Sequence, residues 1–393
     1  MKKIHINEPL ICKILKFFTR IYIYLFVGFR SKSTYKPQKD EKIVVLSNHQ
    51  TDLDPVFIRL SINRYMYILA TDNIFSHPIF KHVLSYVGAI PKRKGVADFE
   101  SIKKILGISK NGGSILIFPE GNRTYADFQF FIADNFASLL YKLKSTIVLY
   151  NIHGGFGTRP RFAHKKRKGK IYGEVKRVLK YDEYKDMSVE ELNKIIKEEL
   201  LVLDGHHNDK YVSKEKAEYL EKMFYVCPKC EKENTLISNK NTIRCTSCGL
   251  EVSYNEDLTL SSVDPSFKYH RLVDWYDYQR SHVKNTAYNN EIIYTDLNVS
   301  LDIVNPFINK KHVSKGTLLL TKKYLYVGEY KIDVNDIISA SPMSGSKLCL
   351  STSDNNYQII GDKRFNALKY VFMFHKLDTK MSRENNDNYY TID

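Results

Sequence analysis

The chain has 393 residues, 43% of them hydrophobic and 26% charged, which excludes a disordered chain and leaves room for more than one folded unit. Sixty Lys and Arg against 44 Asp and Glu leave a formal charge of +16, so anionic partners are expected; lipid headgroups, phosphorylated substrates, an acidic carrier protein and nucleic acid all fit that sign, and charge alone does not choose among them. The longest uncharged apolar run near the start, Ile21–Phe29, is about half the roughly 20 residues that a membrane-spanning helix needs, and no small-residue cleavage site follows it.

In chain order, the first expected element is a helix over Leu10–Phe29, with Pro9 suited to its first turn. Its charged residues, Lys13, Lys16 and Arg20, fall in one narrow arc, and nearly everything else is aliphatic or aromatic. Two placements fit this pattern. The helix could be buried on three sides against its own unit, or it could lie among lipid headgroups with its cations on phosphates. The expectation for residues 1–40 is the second, an amphipathic membrane-interfacial helix followed by a linker.

From Lys42 the pattern alternates between strand and helix. Strands are expected at Lys42–Leu46, Ser114–Phe118, Thr146–Ile152 and Lys170–Leu179. Helices are expected at Pro55–Ile62, at Phe99–Asn111 (opened by Asp98 and closed by Gly112 and Gly113), at Asp134–Lys142, and from the Ser188/Glu191 capping box to about Leu203. This alternation predicts an α/β unit over residues 41–205, with a mixed, largely parallel sheet flanked by helices.

Two stretches in this unit carry chemistry. The first is Ser47-Asn48-His49-Gln50-Thr51-Asp52-Leu53-Asp54-Pro55. In one continuous helix His49 and Asp54 would point about 140° apart, so they meet only if His49 precedes the helix. The strand ending near Ser47 and Pro55 at the first helical position supply that arrangement, with Asp54 as the cap. A carboxylate on one imidazole nitrogen fixes the tautomer and leaves the other nitrogen free to take a proton from a hydroxyl. Alone, this spacing is a weak signal and is more often a capping Asp beside a surface His. The second stretch is Pro119-Glu120-Gly121-Asn122-Arg123-Thr124, a tight turn straight after a buried strand, where open α/β sheets place their sites. Gly121 lets backbone approach a ligand, and Arg123 offers a planar fork for a phosphate.

Four of the six cysteines form two tight pairs, Cys227-Pro228-Lys229-Cys230 and Cys245-Thr246-Ser247-Cys248. Two such knuckles supply four thiolates for a tetrahedral Zn²⁺ and point to a reducing compartment rather than a disulfide framework. Four thiolates leave no open coordination position, so this zinc ribbon, residues 223–257, is expected to be structural. Beyond the charged, aromatic connector Phe267–Asn285, short strands are expected at Asn298–Ile303, Gly316–Thr321, Tyr324–Val327, Lys331–Val334, Lys347–Ser351 and Tyr357–Ile360, then a helix over Arg364–Leu377. That pattern resembles a small β-rich, PH/GRAM-like barrel over residues 286–380.

Together the His49 and Glu120 stretches resemble the glycerolipid acyltransferase family, which includes 1-acylglycerol-3-phosphate acyltransferases. Its signatures are Asn-His-x4-Asp and, some seventy residues later, Phe-Pro-Glu-Gly-Thr-Arg-Ser; here the second reads Phe118-Pro119-Glu120-Gly121-Asn122-Arg123-Thr124. The resemblance covers about Lys42–Leu179. It implies that His49 takes the acceptor hydroxyl proton, that Asp54 orients His49, and that Glu120, Gly121 and Arg123 shape the acceptor site with Arg123 on a phosphate. A further family element, Gly-x-x-Phe-Ile-x-Arg, corresponds to Gly88-Ala89-Ile90-Pro91-Lys92-Arg93-Lys94, so either Arg93 or Lys94 is expected on that phosphate. The family's Pro-centred apolar strand matches Ser145–Ile152 only loosely, because no proline is present there.

The resemblance implies acyl transfer from acyl-CoA or acyl-carrier protein to the free hydroxyl of a lysophospholipid, with lysophosphatidate as the expected acceptor. Other lysolipids or glycolipids are the alternative acceptors. A non-catalytic adaptor for membrane or nucleic acid is the alternative of another class, and an adaptor has no need of the His49/Asp54 pair. Residues 159–180 hold ten Lys or Arg and one acid, Glu174. That run reads either as a solvated face or as a docking surface for anionic lipid, coenzyme A or an acidic carrier. The expected location is the cytoplasmic face of a membrane, peripheral or monotopic; nucleic acid is not an expected partner.

Overall fold

The structure, a computed structural model, describes residues 8–71, 84, 86–92, 99–129, 131–206, 209–304, 310–343, 346–377 and 379–381. Its first unit is a seven-stranded sheet of β1 (Arg30–Ser31), β2 (Ile43–Ser47), β3 (Met66–Thr71), β4 (Ala89–Lys92), β5 (Ser114–Ile117), β6 (Thr146–His153) and β7 (Tyr172–Leu179). The spatial order is β1-β7-β6-β2-β5-β3-β4, and every neighbouring pair is parallel except β6–β7. The fold is therefore α/β with a mixed, largely parallel sheet.

Strand β2 reads Ile-Val-Val-Leu-Ser and is buried on both faces, as the interior of a parallel sheet requires. Ile43 and Val45 pack on one side with Phe57, Ile58 and Val148, while Val44 and Leu46 pack on the other with Ile105, Leu140 and Ile196. Helices thus cover both faces. The helices at Phe99–Lys110, Ala137–Leu143 and Val189–Glu199 lie on the second side, the last opened by the Ser188/Glu191 capping box. β3 and β4 were not anticipated, because short apolar runs such as Met66–Thr71 carry no periodicity of their own.

The N-terminal helix, α1 (Leu10–Tyr22), passes into a π-turn at Ile23–Val27 and stops at Gly28, whose φ is +78°. It is shorter than the expected span because Gly28 adopts the left-handed conformation that ends a helix. Only Cys12 and Ile23 are buried; Leu10, Phe17, Phe18, Leu25 and Phe26 are each at least 60% exposed.

A second sheet, β8 (Leu236–Asn239), β9 (Thr242–Cys245), β10 (Glu251–Tyr254) and β11 (Leu260–Ser261), runs antiparallel in the order β11-β10-β9-β8. The connector beyond it contains a helix, Leu272–Asn285. The third sheet has seven antiparallel strands: β12 (Ile292–Ile303), β13 (Lys311–Thr321), β14 (Tyr324–Val327), β15 (Tyr330–Asp333), β16 (Ser339–Met343), β17 (Lys347–Ser351) and β18 (Asn356–Ile360). Their order is β15-β14-β13-β12-β18-β17-β16, and the helix Ala367–Lys376 packs on this sheet. The expected Asn298–Ile303 proves to be the second half of β12, and β16 was missed because its Ser, Ala and Pro lack strand patterning.

These units share one apolar core. Tyr125, Phe128, Phe156 and Phe162 from the first unit join Phe224, Trp275 and Tyr294 in a single cluster. Elsewhere Glu41 fastens the linker to the sheet: its carboxylate accepts from Thr146 Oγ1 at 2.6 Å, Lys180 Nζ at 2.6 Å, Tyr35 OH at 2.8 Å and the Gln38 amide at 3.0 Å. Burial pushes this carboxyl up, but the bonds from Lys180, Thr146, Gln38 and Tyr35 outweigh it and hold the group at about 2. Because the folded value lies below the ordinary 4.5, the resulting stability is present above about pH 4.5 and fades as pH falls towards 2. Glu41→Gln is expected to cost about 1–3 kcal/mol near neutral pH. In urea melts over a pH series, its difference from the unsubstituted protein should shrink below about pH 4.5.

Candidate active site

β2 and β5 are adjacent and parallel, with Leu46 opposite Ile117. The chain leaves both strands at the same edge, which brings the His49 and Glu120 stretches together at the carboxyl ends of the strands. His49 Nδ1 lies 2.8 Å from Asp54 Oδ2. The same oxygen accepts the backbone N–H of Gln50 at 2.7 Å and of Thr51 at 2.9 Å, and Oδ1 accepts Thr51 Oγ1 at 2.5 Å. Asp54 is fully buried.

Asp54 is not the helix cap that its position suggested. It is the first residue of α2 (Asp54–Ile62), Pro55 follows it, and the cap position is Leu53 with no side-chain cap bond. Its carboxylate instead turns back onto the loop, because three donors of that loop converge on it beside His49.

The two stretches are stitched together at the backbone. The Thr124 amide donates to the His49 carbonyl at 2.9 Å, and the His49 amide donates to Glu120 Oε1 at 3.2 Å. Glu120 is buried and so grips the chain beneath His49. The His49 ring stacks on Phe118, with centroids 4.2 Å apart. Burial pushes the imidazole below its ordinary 6.5; Asp54 opposes this through its hydrogen bond and charge, and the Arg123 and Arg161 charges push it further down. His49 is therefore neutral near pH 7, with its proton on Nδ1 towards Asp54 and its lone pair on Nε2.

Gly121 is exposed at φ +65°, and a Cβ there would meet nothing within 4 Å. The turn needs glycine for its left-handed backbone rather than for the close approach of a neighbour. Arg123 Nη1 lies 3.8 Å from Asp52 Oδ1, and the Arg123 side chain is 17% exposed. Arg93 and Lys94 lie outside the described residues; β4, which leads to them, pairs with β3.

Several supporting residues were missed. Asn48 pairs through its side chain with both backbone groups of Ile152, each at 2.8 Å. Gln50 accepts from the Gly155 amide at 2.8 Å and donates to Asp204 Oδ1 at 3.2 Å. Asp204, itself fully buried, also receives the amides of Gly154 and Gly157 at 2.7 and 3.0 Å. Asn48 and Gln50 flank His49 and could have been flagged by adjacency. Asp204 carries no sequence signal at all.

The sulfurs of Cys227, Cys230, Cys245 and Cys248 lie within 4.8 Å of one another, with Cys227–Cys248 at 3.6 Å and Cys230–Cys245 at 3.8 Å. Four thiolates at about 2.3 Å from one tetrahedral zinc would stand about 3.8 Å apart, so the cluster fits that ion.

Parts of the chain are similar to known proteins. Residues 30–152 match the family model described as "Acyltransferase". This segment is therefore similar to that family. Residues 220–256 match a zinc-ribbon model described as "DNA directed RNA polymerase, 7 kDa subunit". Among curated proteins, the chain is 29% identical over 114 residues to the chloroplastic 1-acyl-sn-glycerol-3-phosphate acyltransferase LPAT1 of Arabidopsis thaliana, covering 28% of this chain and 32% of that protein. It is 29% identical over 90 residues to the chloroplastic 1-acyl-sn-glycerol-3-phosphate acyltransferase BAT2 of Brassica napus, covering 22% and 26% respectively. The chain thus spans about a third or less of the length of the curated relatives it matches. Among solved structures it is similar to PlsC, the 1-acyl-sn-glycerophosphate acyltransferase of Thermotoga maritima, with 20% identity, a TM-score of 0.41, and coverage of 47% of this chain and 74% of that one.

The sole tryptophan reports on the cysteine cluster. Trp275 is fully buried, stacks on Phe224 at 4.4 Å, and donates to the carbonyl of Val226, the neighbour of Cys227. Elemental analysis is expected to find one zinc per chain, lost in Cys230→Ser. Chelation should shift tryptophan emission to the red as the Cys227 knuckle opens; an unshifted spectrum in verified zinc-free protein would detach the ion from this packing.

Proposed function

We propose that the protein transfers a fatty acyl group from a thioester donor, acyl-CoA or acyl-carrier protein, to the free hydroxyl of lysophosphatidate, forming phosphatidate. The observation that carries this reading is the 2.8 Å contact between His49 and Asp54 at the strand edge shared with the Pro-Glu-Gly turn. The acyltransferase family match over residues 30–152 supports it. His49 Nε2 takes the acceptor proton as the hydroxyl oxygen attacks the thioester carbonyl. The tetrahedral intermediate expels the thiolate, which recovers the proton from His49, so no acyl-enzyme forms. Asp54 holds the tautomer and stabilises the imidazolium. Glu120 keeps His49 in place through its amide, and Arg123 pairs with the acceptor phosphate.

The exposed apolar face of α1 and its π-turn, flanked by the exposed Lys13, Arg20 and Arg30, supports binding to an anionic membrane surface, where such lipids reside. The reading includes placement on a membrane face open to a reducing compartment.

Purified protein with lysophosphatidate, either donor and detergent micelles provides the test. His49→Ala is expected to lower turnover on the order of 10²–10⁴-fold. Asp54→Asn can still accept the Gln50 and Thr51 amides through its remaining oxygen, so it should fold yet lose on the order of a hundredfold or more in kcat. Because the neutral imidazole is the base and its value sits below 6.5, kcat/KM should stay level near neutrality and fall only at lower pH. Near-complete turnover in His49→Ala would overturn the mechanism.

The phosphate assignment has its own readout. Arg123→Lys keeps the charge but loses the planar fork, and should cost roughly tenfold to a hundredfold in kcat/KM with lysophosphatidate. Monoacylglycerol, which carries no phosphate, should be affected far less; equal losses for both acceptors would make Arg123 structural.

A further inference from the structure

Arg161 links the third sheet to the acceptor-side turn of the first unit. Arg161 lies outside the matched residues 30–152, in the basic run. Its Nη1 donates to the carbonyl of Arg123 at 3.0 Å, and its Nη2 donates to the carbonyl of Pro342 at 2.6 Å. The guanidinium also sits 3.9 Å from the centroid of the Tyr125 ring, and Tyr125 OH donates to the same Pro342 carbonyl at 3.0 Å. Pro342 belongs to β16, an edge strand of its sheet, which pairs with β17. One carbonyl of that edge therefore takes two donors from the first unit, while the other arm of Arg161 holds the backbone of Arg123.

The turn so held is the one proposed to carry the acceptor phosphate. Arg123 is followed by Thr124, whose amide donates to the His49 carbonyl, and then by Tyr125, which is buried. Three consecutive residues are thus pinned, by Arg161, by His49 and by Pro342. Without Arg161, the Arg123 carbonyl would lose this link to β16.

We propose that Arg161 is a positioning residue for acyl transfer: by bridging the Arg123 and Pro342 carbonyls it fixes the acceptor-binding turn, and so makes the C-terminal sheet part of the apparatus that sets acceptor affinity. This rests on the acyltransferase reading. Arg161 acts through Arg123 rather than by contact with the reacting atoms. A planar fork is needed because the two carbonyls lie in different units and are met by different nitrogens, which a lysine head on a single flexible stem does not reproduce. The Arg161 charge also lowers the His49 imidazole, together with Arg123 and against Asp54.

The test uses the full chain with Arg161→Lys and Arg161→Met, assayed with varied lysophosphatidate at fixed thioester donor, alongside thermal midpoints. Both variants are expected to raise KM for lysophosphatidate about tenfold, with kcat changed about twofold or less. Arg161→Met should also move the acid limb of kcat/KM to higher pH, whereas Arg161→Lys, which keeps the charge, should leave it in place. A lowered thermal midpoint with unchanged acceptor KM in Arg161→Lys would make the residue a purely structural tie and overturn the proposal. A rise in donor KM instead of acceptor KM would overturn it as well. Both outcomes would leave the acyltransferase reading intact. Unsubstituted protein that acylates no lysolipid with either donor would overturn that reading, and this inference with it.

Discussion

The structure depends first on the parallel pairing of β2 with β5. That pairing carries little chemistry of its own, yet its register, Leu46 opposite Ile117, places the ends of two strands side by side. The contacts between the His49 and Glu120 stretches follow from it. The Thr124 amide reaches the His49 carbonyl, Glu120 reaches the His49 amide, and Phe118 lies under the imidazole. Slipping the pairing by one residue would turn Val44 and Leu46 to the opposite helical layer, so the buried faces of both strands hold the register.

Around that edge the electrostatics favour a neutral imidazole with a defined tautomer. Burial does most of this, and the two arginines beside the ring add to it. Asp54 works against the shift, but it is saturated by donors from its own loop and so keeps one orientation. An imidazole that is neutral, oriented and stacked on an aromatic ring suits the proposed role of taking a proton from an alcohol near neutral pH.

The C-terminal half of the chain does not sit apart from this site. The core cluster runs continuously from Tyr125 and Phe156 to Trp275 and Tyr294, so the cysteine cluster and the third sheet are packed against the loops that carry Arg123 and Arg161. Burial of such a shared core couples the order of the loops to the order of the added units. The buried Asp127 and Asp204 lie on the same seam: Asp127 receives the amides of Asp204 and Gly205, and burial and the neighbouring Asp204 charge raise its carboxyl above the ordinary carboxylate range. Arg271, at the start of the helix Leu272–Asn285, donates to the carbonyl of Gly205.

What the sequence determined by itself was local. His49 and Asp54 are five residues apart across a strand end and a helix start, so their meeting is dictated by backbone geometry that Pro55 announces. The two cysteine pairs are likewise set by short spacings, and the apolar strands by their unbroken Val, Ile and Leu runs. The tertiary structure alone decided the rest. Glu120 was expected to help shape the acceptor site, and the fold adds a bond from the His49 amide to its carboxylate, a contact across 71 residues. Asp204 meets Gln50 across 154 residues, and Arg161 meets Pro342 across 181. The exposure of α1 was equally undetermined, since an apolar helix reads alike whether protein or lipid covers it. Local spacing constrains dihedrals and faces, whereas these partners are chosen by sheet order and by how three units pack, and no short-range pattern encodes either.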